Sequence, residues 1–251
     1  MSQSVERALS ILDFIAAESR ALNDVAAHLE VHKSTALRLL QTLEAGGMAR
    51  HLPDGRYSLG FHVVALGQSA LEKVELRSLA RPYLQLLSDQ FGHTVHLAQL
   101  VNNDVIYVDK IDGRHSMRSM SRVGGSAELH TSGVTKAIIA NLDPATARQV
   151  LARVTYRKYT DTTLTTPSAL LAELELARET GWAEDNAEYE NYLGCVAAPI
   201  RNVSGDVVAA VSITALRALA SREVLHSYVP TLLEATVDIS RQLGWTGGHG
   251  E

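Results

Sequence analysis

The chain has 251 residues, 46% hydrophobic and only 5% aromatic, and its 28 acidic side chains outnumber its 23 lysines and arginines to give a formal net charge of −5. That length favours two domains over one, with an aliphatic core. No run approaches the roughly eighteen apolar residues of a membrane span, Met1 to Arg7 lacks the basic and apolar regions of a signal peptide, and the single Cys195 forbids an internal disulfide, leaving the cytosol as the simplest compartment.

Ser2 or Ser4 caps a first helix in which Val5, Leu9, Leu12 and Ile15 or Ala16 recur at the helical period. Asn23 opens a second helix of about two turns through Val25, Ala26 and Leu29. After a turn at Val31-His32, a third helix starts near Lys33-Ser34, buries Ala36, Leu37, Leu40 and Leu43, and ends at Gly46-Gly47. The small Ala26 and Ala27 let the two helices cross closely. Arg50 to Leu59 then reads as a hairpin about Asp54-Gly55.

Together these elements describe a winged helix-turn-helix, in which the second helix of the pair enters the major groove. Its outward residues are Lys33, Ser34, Thr35, Arg38 and Gln41. Arg38 and Gln41 lie one turn apart on the polar face and suit base edges, while Lys33, Ser34 and Thr35 suit phosphates or bases. Arg50 and Arg56 suit a wing on the DNA backbone or minor groove. Residues 33–56 carry four cations against two anions, a local net charge of +2 within an acidic chain. A three-helix packing module with a solvated polar face gives the same pattern, so both readings stand at this point.

Residues 61–91 read as one interrupted helical segment, apolar at Phe61, Val64, Leu66, Leu71, Val74, Leu76, Leu79, Tyr83, Leu86 and Leu87, with Pro82 breaking or kinking it. Such a helix needs a partner, either a second copy of the chain or the rest of this one. Beyond it, Thr94–Val101 and Val105–Ile111 flank a turn at 102–104, and Leu193–Ile200 and Val207–Thr214 flank a turn at 202–206, giving two hairpins. Between them come a helix after Thr131-Ser132-Gly133 and two opened by Asp143-Pro144 and Thr166-Pro167. A last helix runs from Arg222 to Leu243, bent at Pro230. Strand pairs separated by helices make an α+β sheet domain.

Three features of that domain point to a ligand. Ser132-Gly133 opens a helix, where backbone N–H groups form an anion site. Period two puts Ser212 and Thr214 on one face of the last strand and Val211 and Ile213 on the other, and hydroxyls on an otherwise apolar strand need partners. Asp185 and Cys195 sit at the edges of the loop entering the neighbouring strand. Cys195 with His130 or His96 and Asp185 has the residue types of a thiol triad. However, Cys195 lies in an apolar strand rather than at a helix start that would stabilise a thiolate. His93-x-x-His96 invites a metal, with His115 or His130 as third ligand, yet that spacing at a strand start points the pair to opposite faces. No catalysis, metal or cofactor is expected.

Ser4 to Leu12, Val25-Ala26, Leu29, His32 to Ala36, Arg38 to Leu40, Leu43, Gly46-Gly47 and Tyr57 to Gly60 resemble the N-terminal half of the IclR-type bacterial transcriptional regulators. Leu129 to Ala137, Asp185-Asn186, Glu188, Gly194 to Ile200 and Ala210 to Thr214 resemble the effector-binding half of the same family, so the resemblance runs over about residues 4–245. It implies an α+β chain with a winged helix-turn-helix at 1–60, a linker helix at 61–79 that helps to pair the DNA-binding units, and a GAF/PAS-like antiparallel sheet domain with flanking helices at 80–251. It also implies an effector pocket at Met120, with Met117 nearby, Gly133, Val134, Asp185, Leu193, Cys195, Ser212 and Thr214. Its expected partners are double-stranded operator DNA, a small carboxylate or sugar-acid effector, and a second copy of the chain, as a homodimer or a dimer of dimers. The implied function is ligand-responsive control of a catabolic operon by a small organic, aromatic or sugar acid. The family commonly has glycine where Thr135 stands, which implies a smaller or differently oriented ligand here.

Overall fold

The computed structural model describes residues 3–71, 75–115 and 121–247, and the chain divides into two compact units, Met1–Val74 and Glu75–Glu251. The first contains α1 (Gln3–Ala17), β1 (Arg20–Ala21), α2 (Leu22–His28), α3 (Lys33–Ala45), β2 (Ala49–His51), β3 (Arg56–Leu59) and α4 (Phe61–Leu71). Ile11, Ile15, Val25, Ala36 and Leu40 form its core with Ala49 and Tyr57. That core corrects the face read for α1, because Val5 and Leu9 are both 57% exposed. Apolar residues lie on two sides of this helix, so periodicity finds the helix without choosing its buried side.

Helix α2 starts just before Asn23, and Asp24 reaches back to accept the Ala21 N–H at 3.1 Å. His32 caps α3, its Nδ1 accepting the Ser34 N–H at 3.3 Å. The three short strands pair antiparallel in the order β1-β3-β2, and Gly55 turns the wing at φ 84°. The two-residue β1 was not foreseen; a pair of residues carries no period.

The second unit contains α5 (Leu76–Phe91), β4 (Thr94–Val101), β5 (Asp104–Ile111), α6 (Gly133–Ile139), α7 (Pro144–Leu151), α8 (Pro167–Thr180), β6 (Ala183–Asp185), β7 (Leu193–Arg201), β8 (Val207–Leu216), α9 (Arg222–Ser227) and α10 (Val229–Gln242). The strands form one antiparallel sheet ordered β5-β4-β8-β7-β6. One face packs Val95, Leu97, Val196, Val211 and Ile213 against Leu84, Leu225, Leu232 and Ile239 of α5, α9 and α10. The other packs Ala98, Val105, Ala197 and Ala210 against Val134, Ile138, Val150 and Leu170 of α6, α7 and α8. No helix among the described residues is long and apolar enough to cross a membrane.

Local chemistry explains the element ends. Asn102 and Asn103 both take left-handed φ values, 50° and 68°, as a two-residue hairpin turn requires. Asp143 Oδ1 accepts the N–H groups of Ala145 and Thr146 at 2.9 and 3.1 Å to open α7. Contrary to the expected break, α5 runs straight through Pro82. Pro82 and Ser78 are both exposed, so the turn that loses a hydrogen bond lies on the solvent side of the helix. The last helix is interrupted at Tyr228 rather than bent at Pro230, because proline in the first turn opens a new helix without cost.

A register shift sets Leu97 opposite Asp109 but Ala98 opposite Tyr107, leaving Val108 as an extra residue. Tyr107 therefore packs with the face that holds α6. Asp109, buried and two residues on, turns to α5, where Arg81 donates to its two oxygens at 2.9 and 2.8 Å.

Candidate functional site

Between the sheet and the start of α6 lies a cavity of about 140 Å³. Strand β8 supplies Ser212 and Thr214, β7 supplies Leu193 and Cys195, and Asp185 closes β6. The registers place Cys195 opposite both Asp185 and Thr214, and Ser212 opposite His96. This is how a period of two gathers residues far apart in sequence. His96, Tyr107, Ser121, Ser126, Ala127, Glu128, Thr131, Ser132, Tyr189 and Glu190 complete the wall.

Of the residues expected at the pocket, Asp185, Leu193, Cys195, Ser212 and Thr214 line this cavity. Val134 does not: α6 turns it into the hydrophobic layer on that side of the sheet. Gly133 lies behind Cys195, where a β-carbon would stand 2.7 Å from Sγ, so its role is one of close approach. Met117 and Met120 lie outside the described residues. Thr135 is fully buried outside the cavity wall, so its bulk does not narrow the space directly. Sequence reading missed Tyr107, Thr131, Tyr189 and Glu190, and considered His96 only as a metal or triad residue. Pairing β4 with β8 would have placed His96 beside Ser212.

The electrostatics are set by burial. His96 is held down to about 3 by desolvation, so its imidazole is neutral, and its ring nitrogens meet Ser121 Oγ at 2.8 Å and Thr214 Oγ1 at 3.3 Å. Burial raises the Asp185 carboxyl to about 7, against the Glu188 N–H, which donates to Oδ1 at 2.7 Å. Asp185 therefore exchanges its proton near neutrality, serving as a donor in one form and an acceptor in the other. Glu128 and Glu190 are the other acids in the wall, and no lysine or arginine lines it among the described residues. Just outside, the buried Lys136 Nζ donates to Glu188 Oε1 at 2.6 Å, tying the loop after Asp185 to α6.

The thiol arrangement is inert. Burial pushes Cys195 up to about 12 despite the nearby N–H groups of Gly133 and Asp185. Both nitrogens of His96 meet hydroxyls, and His130 Nε2 meets the Arg157 carbonyl at 3.0 Å. His96 lines the cavity, whereas the His93 ring stands 5.8 Å from that of Tyr228 and 6.0 Å from that of His115.

In the first unit, Lys33, Ser34, Arg38 and Gln41 are exposed along α3, with Thr35 half-buried. Ser34 Oγ lies 2.9 Å from His32 Nδ1, so this hydroxyl helps to close the helix cap. In the wing, Arg50 Nε donates to Ser58 Oγ at 3.0 Å and its guanidinium lies 4.9 Å over the Phe61 ring. Arg56 Nε is 3.7 Å from Asp54.

Two family models match the chain: the IclR helix-turn-helix domain over residues 4–53 and the bacterial transcriptional regulator IclR C-terminal domain over residues 68–241. The HTH-type transcriptional regulator XynR of Escherichia coli is 33% identical, over 97% of this chain and 98% of its own. KdgR of the same organism is also 33% identical, over 96% and 93%. The crystal structure of Thermotoga maritima IclR superposes with a TM-score of 0.65 at 30% identity, covering 96% of this chain and 98% of that one. A winged helix followed by this sheet domain, matched in order along nearly the whole chain, makes the protein a DNA-binding transcriptional regulator of the IclR family, and not an enzyme.

Proposed function

We propose that this regulator is a ligand-responsive switch that senses a small organic, aromatic or sugar acid in the cavity around Asp185 and controls a catabolic operon. The observation that carries the reading is the Asp185 carboxyl, buried in the wall and raised to about 7. In its protonated form it donates to a ligand carboxylate; in its ionised form it accepts from a ligand hydroxyl. Ser212 and Thr214 face the same space, and Leu193 gives it an apolar side.

On the output side, Arg38 and Gln41 read base edges while Lys33, Ser34 and Thr35 hold phosphates or bases, with Arg50 and Arg56 on the wing. A unit with so little local charge binds DNA weakly alone, so recognition of a pseudo-palindromic operator rests on a cytoplasmic homodimer or a dimer of dimers. The working division is residues 1–60 for DNA, 61–79 for the linker and 80–251 for the effector. A ligand that favours one pairing of the linkers changes operator affinity by its differential affinity for the two states. The test is a thermal-shift screen of organic, phenolic and sugar acids on the full chain, followed by operator binding with each hit. An acid that raises the melting temperature and changes operator affinity supports the reading; acids that bind without moving operator affinity refute it.

A further inference from the structure

Four hydroxyls of the cavity wall have partners within the protein. Ser121 and Thr214 meet His96, and Ser132 Oγ lies 3.3 Å from the Tyr107 hydroxyl. Thr131 combines two properties: it lines the cavity as a fully buried residue, and its buried Oγ1 has no hydrogen-bond partner among the described residues. A buried hydroxyl left unsatisfied carries a standing desolvation penalty that a valine of the same shape would avoid. Thr135 Oγ1 and Glu188 Oε2 are also without partners among the described residues, but neither residue lines the cavity, so a ligand there does not reach them.

The volume bounds what can satisfy Thr131. A cavity of about 140 Å³ is close to the roughly 150 Å³ that accepts a benzene ring in another protein. The occupant is therefore compact, and it must bring an oxygen to a side of the wall that offers a donor and acceptor with no other outlet.

We propose that Thr131 is a specificity-determining residue of this cavity, whose hydroxyl bonds an oxygen of a bound effector no larger than about a single six-membered ring. The proposal rests on the reading of the cavity as the effector site. It adds a residue to those expected from sequence and narrows the effector by size. It also explains why threonine stands where valine would fill the same space without an unpaired hydroxyl.

The experiment uses the full chain with Thr131→Val and Thr131→Ser, and four probes: lactate, glycerate, benzoate and 4-hydroxybenzoate. Melting temperature is measured without ligand, and affinity by titration calorimetry. The expected result is an unliganded Thr131→Val protein that melts at or above the wild-type temperature and binds the best probe at least about tenfold more weakly, while Thr131→Ser stays within about threefold. Unchanged affinity in Thr131→Val overturns the proposal, as does a lowered melting temperature without ligand, which would mean that the hydroxyl serves the fold. If no probe binds the wild type, the small-acid reading fails on its own. The melting comparison then decides for Thr131: an unchanged or higher value supports an external partner and a fall refutes it.

Discussion

Gly133 and Cys195 meet behind the cavity with so little room that a β-carbon on Gly133 would stand 2.7 Å from Cys195 Sγ and 3.4 Å from the Ala197 β-carbon. The start of α6 is thereby pressed onto β7 by the absence of a side chain. Gly133→Ala is expected to destabilise the chain by about 1–3 kcal/mol through overpacking. Cys195→Ala in the same chain should recover most of that loss, since it removes the atom that is struck. Urea unfolding of the two single variants and the double variant measures the coupling; an additive cycle would place the strain elsewhere.

Asp185 makes stability depend on pH in a definite direction. The folded protein holds a proton on this carboxyl up to about pH 7, whereas the unfolded chain releases it near the ordinary aspartate value. The stability linked to that proton is complete below about pH 4 and is lost as pH rises toward 7, up to about 4 kcal/mol. Asp185→Asn stays neutral throughout. Its unfolding free energy should gain on the wild type between about pH 4 and 7 and then level off. A difference that stays flat over that range would contradict the raised carboxyl.

Lys136 and Glu188 form a buried ion pair, both side chains at or below 4% exposure. Burial raises the Glu188 carboxyl even beside this ammonium, so the pair survives on mutual compensation. Lys136→Met should cost about 3–5 kcal/mol by leaving an uncompensated carboxylate, and the double variant Lys136→Met with Glu188→Gln should cost clearly less. Thermal and chemical denaturation measure both; equal losses would mean that the charge is immaterial.

Arg38 and Arg56 offer a contrast on the DNA-reading side. Arg38 is exposed on α3, whereas Arg56 is tethered to Asp54. On an operator selected from random duplex DNA, Arg38→Ala should weaken binding by about ten- to a hundredfold and relax sequence preference, and Arg56→Ala should weaken it more uniformly across sequences. Fluorescence anisotropy over a salt series reads both effects. Uniform weakening by Arg38→Ala would assign that side chain to phosphate instead of base.

What could be read before the structure was whatever local physics decides. The Asp143-Pro144 and Thr166-Pro167 starts, the Asp54-Gly55 turn and the alternation of Val211, Ser212, Ile213 and Thr214 are each fixed by neighbours in sequence. Two failures have a common cause. The buried side of α1 and the orientation of Val134 depend on which neighbour packs where, and periodicity is silent on that. Thr131 and Tyr107 escaped notice for a similar reason, since only the fold brings their loop and strand to the same wall as Asp185. The three-residue β6 carries no alternation long enough to recognise, yet it ends on the carboxylate at the centre of the site.

Strand β8 has a consequence for how such a regulator changes over generations. Ser212 and Thr214 face the cavity while Val211 and Ile213 belong to the core on the opposite side of the sheet. On the proposed reading of the cavity, substitutions at the even-numbered pair retune ligand choice without disturbing the residues that hold the domain together. Insertion or loss of one residue within the strand would exchange the two roles at a stroke. A change of ligand, on that reading, is therefore open to point mutation along this strand and closed to changes in its length.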